Sequence, residues 1–152
     1  MLTIKNRFQI VPAVYLILKN NNQILMMRRF NTGYKDGFYS LPAGHLDGNE
    51  TLKDALIRET KEETGLLIEA SDLKLVHVMH ESSDITEPAD NERIDFYFEV
   101  SKYKGEPSII EPHKCDDMRW FNINELPDNI VDKVSVALGH IKSGEIHSTY
   151  GW

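Results

Sequence analysis

The sequence has few of the features that mark secreted, membrane-spanning or multidomain proteins. Its 152 residues include a single cysteine, Cys115, so no disulfide can form within the chain. It contains no apolar run long enough to span a bilayer, and its opening residues lack the apolar segment of a secretory signal. We therefore expect a cytoplasmic protein.

Repeats, low-complexity tracts and linker-like runs of proline, glycine or serine are also absent from the sequence. A chain of this length forms one ordinary domain, whose core is large enough to need no disulfide. We therefore expect residues 1–152 to form a single domain that acts as a monomer or a homodimer.

An excess of positive charge is missing too, because 24 acidic residues outnumber 17 lysines and arginines and leave a net charge of −7. Binding to nucleic-acid polymers and to anionic membranes is driven by cationic surface, so we expect neither as a partner. A small nucleotide or another nucleoside diphosphate derivative is compatible with this charge, since bound cations and a few arginines can attract it locally.

The most informative stretch runs from Gly44 to Leu66 and reads GHLDGNETLKDALIRETKEETGL. Thr51 and Asp54 have the spacing of a capping box, and Gly65 supplies the left-handed residue that ends many helices. This pattern predicts a helix over residues 52–64.

The helix begins with an apolar side, and acidic residues continue that side. At 100° per residue the apolar side starts with Leu52 and Leu56. Three glutamates of the last turns fall on it: Glu59, Glu62 and Glu63. Glutamates at i and i+4 repel by a few tenths of a kcal/mol, and acids in the last turn oppose the helix dipole by roughly 0.3 to 1 kcal/mol.

A solvated charged face is the usual role of a glutamate-rich helix end. Here the solvent side is already occupied by Lys53, Ile57 and Lys61, so the glutamates are expected to point inward. A divalent cation resolves the conflict, because carboxylate oxygens converging from one helix are ligands that Mg²⁺ and Mn²⁺ prefer.

The same residues resemble the signature motif of the Nudix hydrolases, metal-dependent enzymes that cleave a nucleoside diphosphate linked to another group. The fixed positions of that motif are all present: Gly44, Glu50, Arg58, Glu59, Glu62, Glu63, Gly65 and Leu66. Two positions depart from the usual pattern. Thr60 replaces an aliphatic residue, and Ala43 stands where a glycine is common. The motif covers 23 residues of the chain, Gly44 to Leu66.

The resemblance implies roles for these residues. The predicted metal ligands are the Gly44 carbonyl, which a glycine lets approach an ion closely, and three carboxylates, Glu59, Glu62 and Glu63. The predicted catalytic residues are Glu59, Glu62 and Arg58. Arg58 is expected to orient Glu62 at i+4. Glu50 lies on another side and is expected to brace the loop or to reach a second metal.

The flanking sequence predicts the scaffold. Residues 10–18 and 23–29 indicate a hairpin, residues 38–43, 66–69, 73–80 and 117–121 indicate further strands, and residues 81–91 a polar loop. In residues 92–100 alternation puts Ile94 and Phe96 inward and Asp95 and Tyr97 outward. A last helix is predicted over residues 128–143. This order of elements predicts an α/β fold, an α/β/α sandwich with a mixed β-sheet between helices, which the resemblance implies as well.

Three residues are predicted to bind substrate. Arg28 and Arg29 end a strand where the family often contacts substrate phosphate, and alternation allows only one of them to face the site. A surface ion pair is the alternative for each. Trp120 follows a segment where related enzymes carry an extra acidic ligand, and it could line the base pocket. The candidates for that ligand stay unassigned: Glu111, Asp116 and Asp117.

The implied activity is Mg²⁺- or Mn²⁺-dependent hydrolysis of a phosphoanhydride bond. Residues 81–84 offer neither the proline nor the tyrosine that would suggest an ADP-ribose, NADH, coenzyme A or dinucleoside polyphosphate enzyme. By elimination, the chain is closest to the MutT-like group, which hydrolyses nucleoside triphosphates, including oxidised or non-standard ones, to monophosphate and pyrophosphate. A nucleotide-sugar or ADP-ribose is the alternative substrate.

Two other classes of protein remain as alternatives. A nucleotide sensor that does not cleave its ligand usually has a broken motif, whereas this motif is whole. An isomerase of the isopentenyl diphosphate type uses a catalytic cysteine, and Cys115 lies outside the expected setting.

Overall fold

The computed structural model describes residues 5–82 and 92–152, so most of the loop predicted over residues 81–91 lies outside the described residues. Within these ranges the chain forms nine strands, two α-helices and a 3₁₀ turn. In chain order the strands and helices are β1 (Val11–Ile17), β2 (Lys19–Asn20), β3 (Gln23–Arg29), β4 (Tyr39–Ser40), β5 (Ala43–His45), α1 (Leu52–Thr64), β6 (Leu73–Glu81), β7 (Arg93–Val100), β8 (Cys115–Asn122), α2 (Asp132–Lys142) and β9 (His147–Tyr150).

The strands form two sheets. The first has the order β5-β1-β7-β6-β9 and is mixed, because β1 pairs antiparallel with β5 and parallel with β7. The second contains β2, β3 and β4, with β8 paired antiparallel to β3. Helices cover both faces of the first sheet, so the predicted α/β sandwich with a mixed sheet is confirmed.

Helix α1 has the predicted bounds and both predicted end signals. The Thr51 hydroxyl accepts the Asp54 amide N–H, and the Asp54 carboxylate accepts the Thr51 amide N–H. Gly65 ends the helix in the left-handed conformation at φ 76°. These local contacts fix where the helix starts and stops, and therefore which turns its glutamates occupy.

Each face of the first sheet has its own core. On one face Val14 and Leu16 of β1 pack with Ala55 and Leu56 of α1. On the other face, β1 and β7 pack against α2 through a second set of side chains: Ala13, Tyr15, Tyr97, Val134, Ala137 and Leu138. Because both faces are covered, alternate side chains of β7 enter two different cores, instead of one core and the solvent. The prediction that Asp95 and Tyr97 point outward was therefore wrong, since both are fully buried.

Three other predictions about the scaffold were also wrong. The hairpin predicted over residues 10–29 does not form as one unit, because β1 and β3 lie in different sheets. Within this segment only the short β2 pairs with β3. The last helix starts at Asp132 instead of residue 128, since Asn129 and Val131 make backbone hydrogen bonds with Tyr39. The segment 66–69 is no strand and makes only an isolated bridge at Leu67. Strand β9 was not predicted.

Neither of the helices in the described part of the chain is long and apolar enough to cross a membrane.

Candidate active site

A cleft of about 1160 Å³ lies where strands of both sheets and the two helices meet. On the β5 side it is lined by Gly44, Glu59 and Glu63, and on the α2 side by Glu81 and Lys133. Arg28 and Arg29 of β3 line it as well. The cleft therefore brings together residues that are far apart in the sequence.

Glu59 lies directly against the backbone of Gly44. A Cβ atom at position 44 would lie 2.1 Å from Glu59 Cδ and 2.4 Å from its Cγ. No side chain therefore fits at this position while Glu59 keeps its place. The glycine of the motif is required by this side-chain contact, in addition to the access to its carbonyl that the sequence suggested.

Glu63 is held at the same place by the neighbouring strand residue. Its Oε2 accepts the backbone N–H of Ala43 at 3.0 Å. Burial, helped by the nearby carboxylates of Glu59 and Glu111, raises the pKa of Glu63 to about 8, although the hydrogen bond from Ala43 acts in the opposite direction. Burial also raises the pKa of Glu59, although the Arg58 guanidinium beside it acts in the opposite direction. Two carboxyl groups are thus enclosed together with little compensating positive charge.

Arg58 links helix α1 to the loop before it. Its guanidinium donates to Glu50 Oε1 at 2.8 Å, to Glu59 Oε1 at 2.8 Å and to the His45 carbonyl at 3.1 Å. The Glu50 carboxylate in turn accepts the Asp47 amide N–H at 2.7 Å. Arg58 therefore orients Glu59. Glu50 braces the loop, which is one of the two roles predicted for Glu50.

Glu62 does not join the other two glutamates in the cleft. Its side chain is 52 % exposed, and among residues 5–82 and 92–152 its only charged contact is Arg58 at 3.5 Å. Among the described residues, no group of three or more His, Cys, Asp or Glu side chains is arranged to hold a metal ion. The expectation that three carboxylates converge is corrected to a pair, because the position of Glu62 on α1 is turned further towards solvent than those of Glu59 and Glu63.

Arg28 and Arg29 both line the cleft, contrary to the expectation that only one of them faces the site. The pairing of β3 with β8 shifts register between these two residues, because β8 contains one extra residue, Asp116, at this point. Arg28 forms an ion pair with Asp116 at 2.7 Å. Arg29 donates to neutral groups instead, the Tyr34 carbonyl at 2.7 Å and the Thr32 hydroxyl at 3.1 Å.

Trp120 lies outside the cleft, so the structure does not bring this predicted base-binding residue together with the carboxylate pair. Trp120 lines a separate depression of about 370 Å³ and packs against the core on the α1 side. The cause is alternation along β8, which sends Trp120 to one face and its neighbour Phe121 to the core on the other face.

The three acids left unassigned by the sequence have different surroundings. Asp116 pairs with Arg28, and Asp117 accepts hydrogen bonds from Arg119 and from the Tyr39 hydroxyl. Glu111 lines the cleft near enough to Glu63 to raise its pKa. Of the three, Glu111 is therefore the one placed to act with the carboxylate pair.

The α2 side of the cleft contains residues that the sequence analysis missed. Lys133 donates to Glu81 Oε2 at 2.9 Å and to Asp95 Oδ2 at 3.2 Å, and all three side chains are nearly or fully buried. A signal was present in the sequence. Lys133 lies three residues after Ile130 and four before Ala137, so a charged residue occupies the apolar stripe of the last helix.

Cys115 is also in the cleft, where burial raises the pKa of its thiol. Its Sγ donates to the Asp117 carbonyl at 3.2 Å. A reactive cysteine requires a lowered thiol pKa, so these surroundings do not favour the nucleophile that the isomerase alternative requires.

Comparison with known proteins agrees with the motif. The family model described as the NUDIX domain matches residues 9–138. The ADP-ribose pyrophosphatase of Methanocaldococcus jannaschii is 30% identical over 140 residues, which is 91% of this chain and 78% of that protein. An NAD-capped RNA hydrolase NudC of Pseudomonas putida is 27% identical over 78% of this chain, but the match spans only 39% of that protein's length.

Solved structures show the same fold. A MutT NUDIX hydrolase from Burkholderia pseudomallei has a TM-score of 0.75 at 24% identity, covering 86% of this chain and 97% of that one. A bifunctional NMN adenylyltransferase/ADP ribose pyrophosphatase from Francisella tularensis, complexed with AMP and a manganese ion, has a TM-score of 0.67 at 19% identity over 92% of this chain and 43% of that one.

Proposed function

The chain belongs to the Nudix family and is a pyrophosphohydrolase, and we propose that it hydrolyses the diphosphate bridge of a nucleoside diphosphate linked to a sugar, of which ADP-ribose is the type. The observation that carries the proposal is the pair Glu59 and Glu63, enclosed at one side of a cleft large enough for such a molecule.

The residues of this pair fit a divalent cation. Each carboxylate has one oxygen engaged by the protein, Glu59 Oε1 by Arg58 and Glu63 Oε2 by the Ala43 amide. The second oxygen of each is left for an ion, and oxygen ligands are what Mg²⁺ and Mn²⁺ prefer. The raised pKa of both groups shows that a positive charge beside them would stabilise their ionised forms.

We assign the metal ligands to Glu59, Glu63 and the Gly44 carbonyl, with Glu62 at the exposed border. A bound divalent cation supplies Lewis acidity and neutralises charge on the phosphate oxygens. Two contacts hold Glu59 in place. Its side chain packs against the backbone of Gly44, and its Oε1 accepts a hydrogen bond from Arg58.

The chain's own residues contribute binding and proton transfer. Arg29, whose direct hydrogen bonds go to neutral groups, is assigned to a substrate phosphate, where a guanidinium can donate two hydrogen bonds. Water adds to one phosphorus atom, the bond from that atom to the bridging oxygen breaks, and the water's proton passes to a carboxylate of α1. Glu59 is the proposed acceptor. In ADP-ribose the products are AMP and ribose 5-phosphate.

The choice of ADP-ribose is supported by the relative from Methanocaldococcus jannaschii, whose match extends over most of both chains. Hydrolysis of a nucleoside triphosphate is the second candidate, because residues 81–84 lack the proline and tyrosine typical of ADP-ribose enzymes. An RNA substrate is less favoured, since the net charge of −7 opposes binding to a polyanion.

The test is a substrate panel with Mg²⁺ and with Mn²⁺, read by the mass of both products. The panel contains ADP-ribose, a nucleotide-sugar, NADH, the common nucleoside triphosphates and an oxidised one. We expect AMP and ribose 5-phosphate from ADP-ribose at the highest kcat/KM. Pyrophosphate released from a triphosphate at a higher kcat/KM would favour the second candidate. Absence of any cleavage would overturn the proposal and favour a nucleotide sensor.

A further inference from the structure

The α2 side of the cleft contains a buried charged cluster, which we call the lysine cluster: Lys133, Glu81 and Asp95. The Lys133 ammonium donates to one oxygen of each carboxylate, at 2.9 and 3.2 Å. Lys133 and Glu81 line the cleft, whereas Asp95 lies behind them and is fully buried. The cluster therefore presents an N–H donor and a carboxylate acceptor side by side at the cleft surface.

The lysine cluster is poorly explained as a structural anchor. In the part of the chain that the structure describes, the second oxygen of Asp95, Oδ1, is buried without a hydrogen-bond partner, and so is the hydroxyl of Tyr97. Tyr97 stacks on Tyr15, a residue of the cleft wall, at 4.7 Å between ring centroids. Buried polar groups in proteins are almost always paired, and a buried ion pair is often no more stabilising than apolar side chains of similar size. Unpaired polar groups next to a cleft are typical of a binding site.

The register of the first sheet gives the distance between the two sides of the cleft. Asp95 of β7 pairs with Ala13 of β1, and Ala13 pairs with His45 of β5, the residue after Gly44. Two strand spacings amount to about 10 Å. A nucleoside diphosphate placed with its phosphates at Glu59 and Glu63 would therefore bring its base towards the lysine cluster.

We propose that Lys133 and Glu81 determine base specificity by hydrogen-bonding to the edge of the nucleobase, and that Asp95 positions Lys133. This proposal rests on the proposed function, because it needs the phosphates to bind at the opposite side of the cleft. An ammonium has three N–H donors, of which two are engaged by Glu81 and Asp95. Every nucleobase has a donor and an acceptor next to each other on its pairing edge, which matches the donor and acceptor of the cluster.

The inference predicts selectivity against ligands that lack the base. A site built around buried hydrogen-bonding groups rejects a ligand that leaves those groups unpaired. The probes are AMP, GMP, CMP and UMP, with ribose 5-phosphate as the ligand that has the sugar phosphate but no base. Their dissociation constants are measured by titration calorimetry in the presence of Mg²⁺, so the result does not depend on turnover.

We expect the preferred mononucleotide to bind to the wild-type protein about 10- to 100-fold more tightly than ribose 5-phosphate. In Lys133→Met this ratio should fall close to one, while the affinity for ribose 5-phosphate stays unchanged. Glu81→Gln keeps the size of the side chain and an oxygen for Lys133, but introduces an N–H donor. It should change the order of preference among the four bases in a protein that still folds.

The matched control is Lys142→Met, on the same helix, because Lys142 donates to Asn124 and does not line the cleft. Its binding ratios should equal those of the wild type. A purely structural role predicts that Lys133→Met lowers thermal stability and weakens all five ligands equally. That result would overturn the inference, as would a wild-type protein that binds no mononucleotide better than ribose 5-phosphate. Failure of the proposed function would appear separately, as absence of hydrolysis.

Discussion

Glu59 occupies the space that a side chain at Gly44 would fill, with its Cδ 2.1 Å from the position of the missing Cβ. Position 44 therefore controls where a carboxylate of α1 can lie, even though it is part of strand β5. Gly44 does not have a positive φ, so its backbone conformation is open to any residue and does not explain the glycine.

Gly44→Ala tests this relationship. The added methyl group should displace Glu59, lower kcat/KM by at least about 10- to 100-fold, and reduce the free energy of unfolding by about 1–3 kcal/mol through overpacking. The measurements are steady-state kinetics and urea unfolding. The matched control is Gly139→Ala in α2, where a Cβ would meet nothing within 4 Å. That variant should keep its activity and gain up to about 1 kcal/mol of stability.

Arg28 and Arg29 should differ in their effect on substrate binding. Arg28 is neutralised by Asp116, whereas the hydrogen bonds of Arg29 go to neutral groups. We expect Arg29→Met to raise KM about 10-fold or more with a smaller change in kcat, since charge-assisted hydrogen bonds to phosphate are worth about 1.5–3 kcal/mol. Arg28→Met, the matched control, should change KM less. Equal effects in the two variants would contradict the assignment.

The raised pKa of Glu63 predicts how stability depends on pH in the absence of divalent cations. The folded protein keeps a proton on Glu63 up to pH of about 8, whereas the unfolded chain releases it near 4.5. The folded state therefore binds more protons in this range, and the free energy of unfolding falls as pH rises from about 4.5 to 8, by a few kcal/mol.

Glu63→Gln removes this titration while keeping the size of the side chain. Its metal-free stability should fall less steeply with pH than that of the wild type, measured by urea unfolding between pH 5 and 8. Asp95, whose pKa burial raises to about 7, contributes to the slope in both proteins, so the difference reports on Glu63. Turnover should be largely lost. Parallel stability profiles, or wild-type activity, would show that Glu63 was misassigned.

Trp120 should have little influence on substrate binding, since it lines the depression outside the cleft. Trp120→Leu is expected to leave KM within about twofold of the wild type and to cost about 1–3 kcal/mol of stability through lost packing. Kinetics and thermal unfolding would check both. A large rise in KM without loss of stability would indicate that Trp120 contacts the substrate base.

The parts of the fold set by local sequence could be predicted. Helix α1 matched its predicted bounds, because the capping residue Thr51 and the terminal Gly65 act within a few residues of the ends they define. The sheet to which each strand belongs could not be predicted, since β1 and β3 are both continuous apolar runs that could pair with many partners. Burial of Asp95 depends on α2, which follows it by more than 30 residues.

The positions of some candidate site residues could be predicted, but their roles stay predictions. Glu59 and Glu63 both line the cleft, as their spacing on one helix suggested. The separation of Glu62 from them depends on where the first sheet meets the helix, and the exclusion of Trp120 depends on the strand that β8 pairs with. Lys133 was missed because its partners come from β6 and β7, and only the apolar stripe it interrupts marked it in the sequence.

Thr60 offers a way to change this protein without touching the cleft. Its side chain is fully buried in α1, and its Oγ1 has no hydrogen-bond partner among the residues described by the structure. Thr60→Val replaces that oxygen with a methyl group of similar shape, so the melting temperature should rise, by an amount equivalent to about 1 kcal/mol. The protein would then unfold at a higher temperature. Destabilising substitutions in the cleft could be studied in this more stable variant.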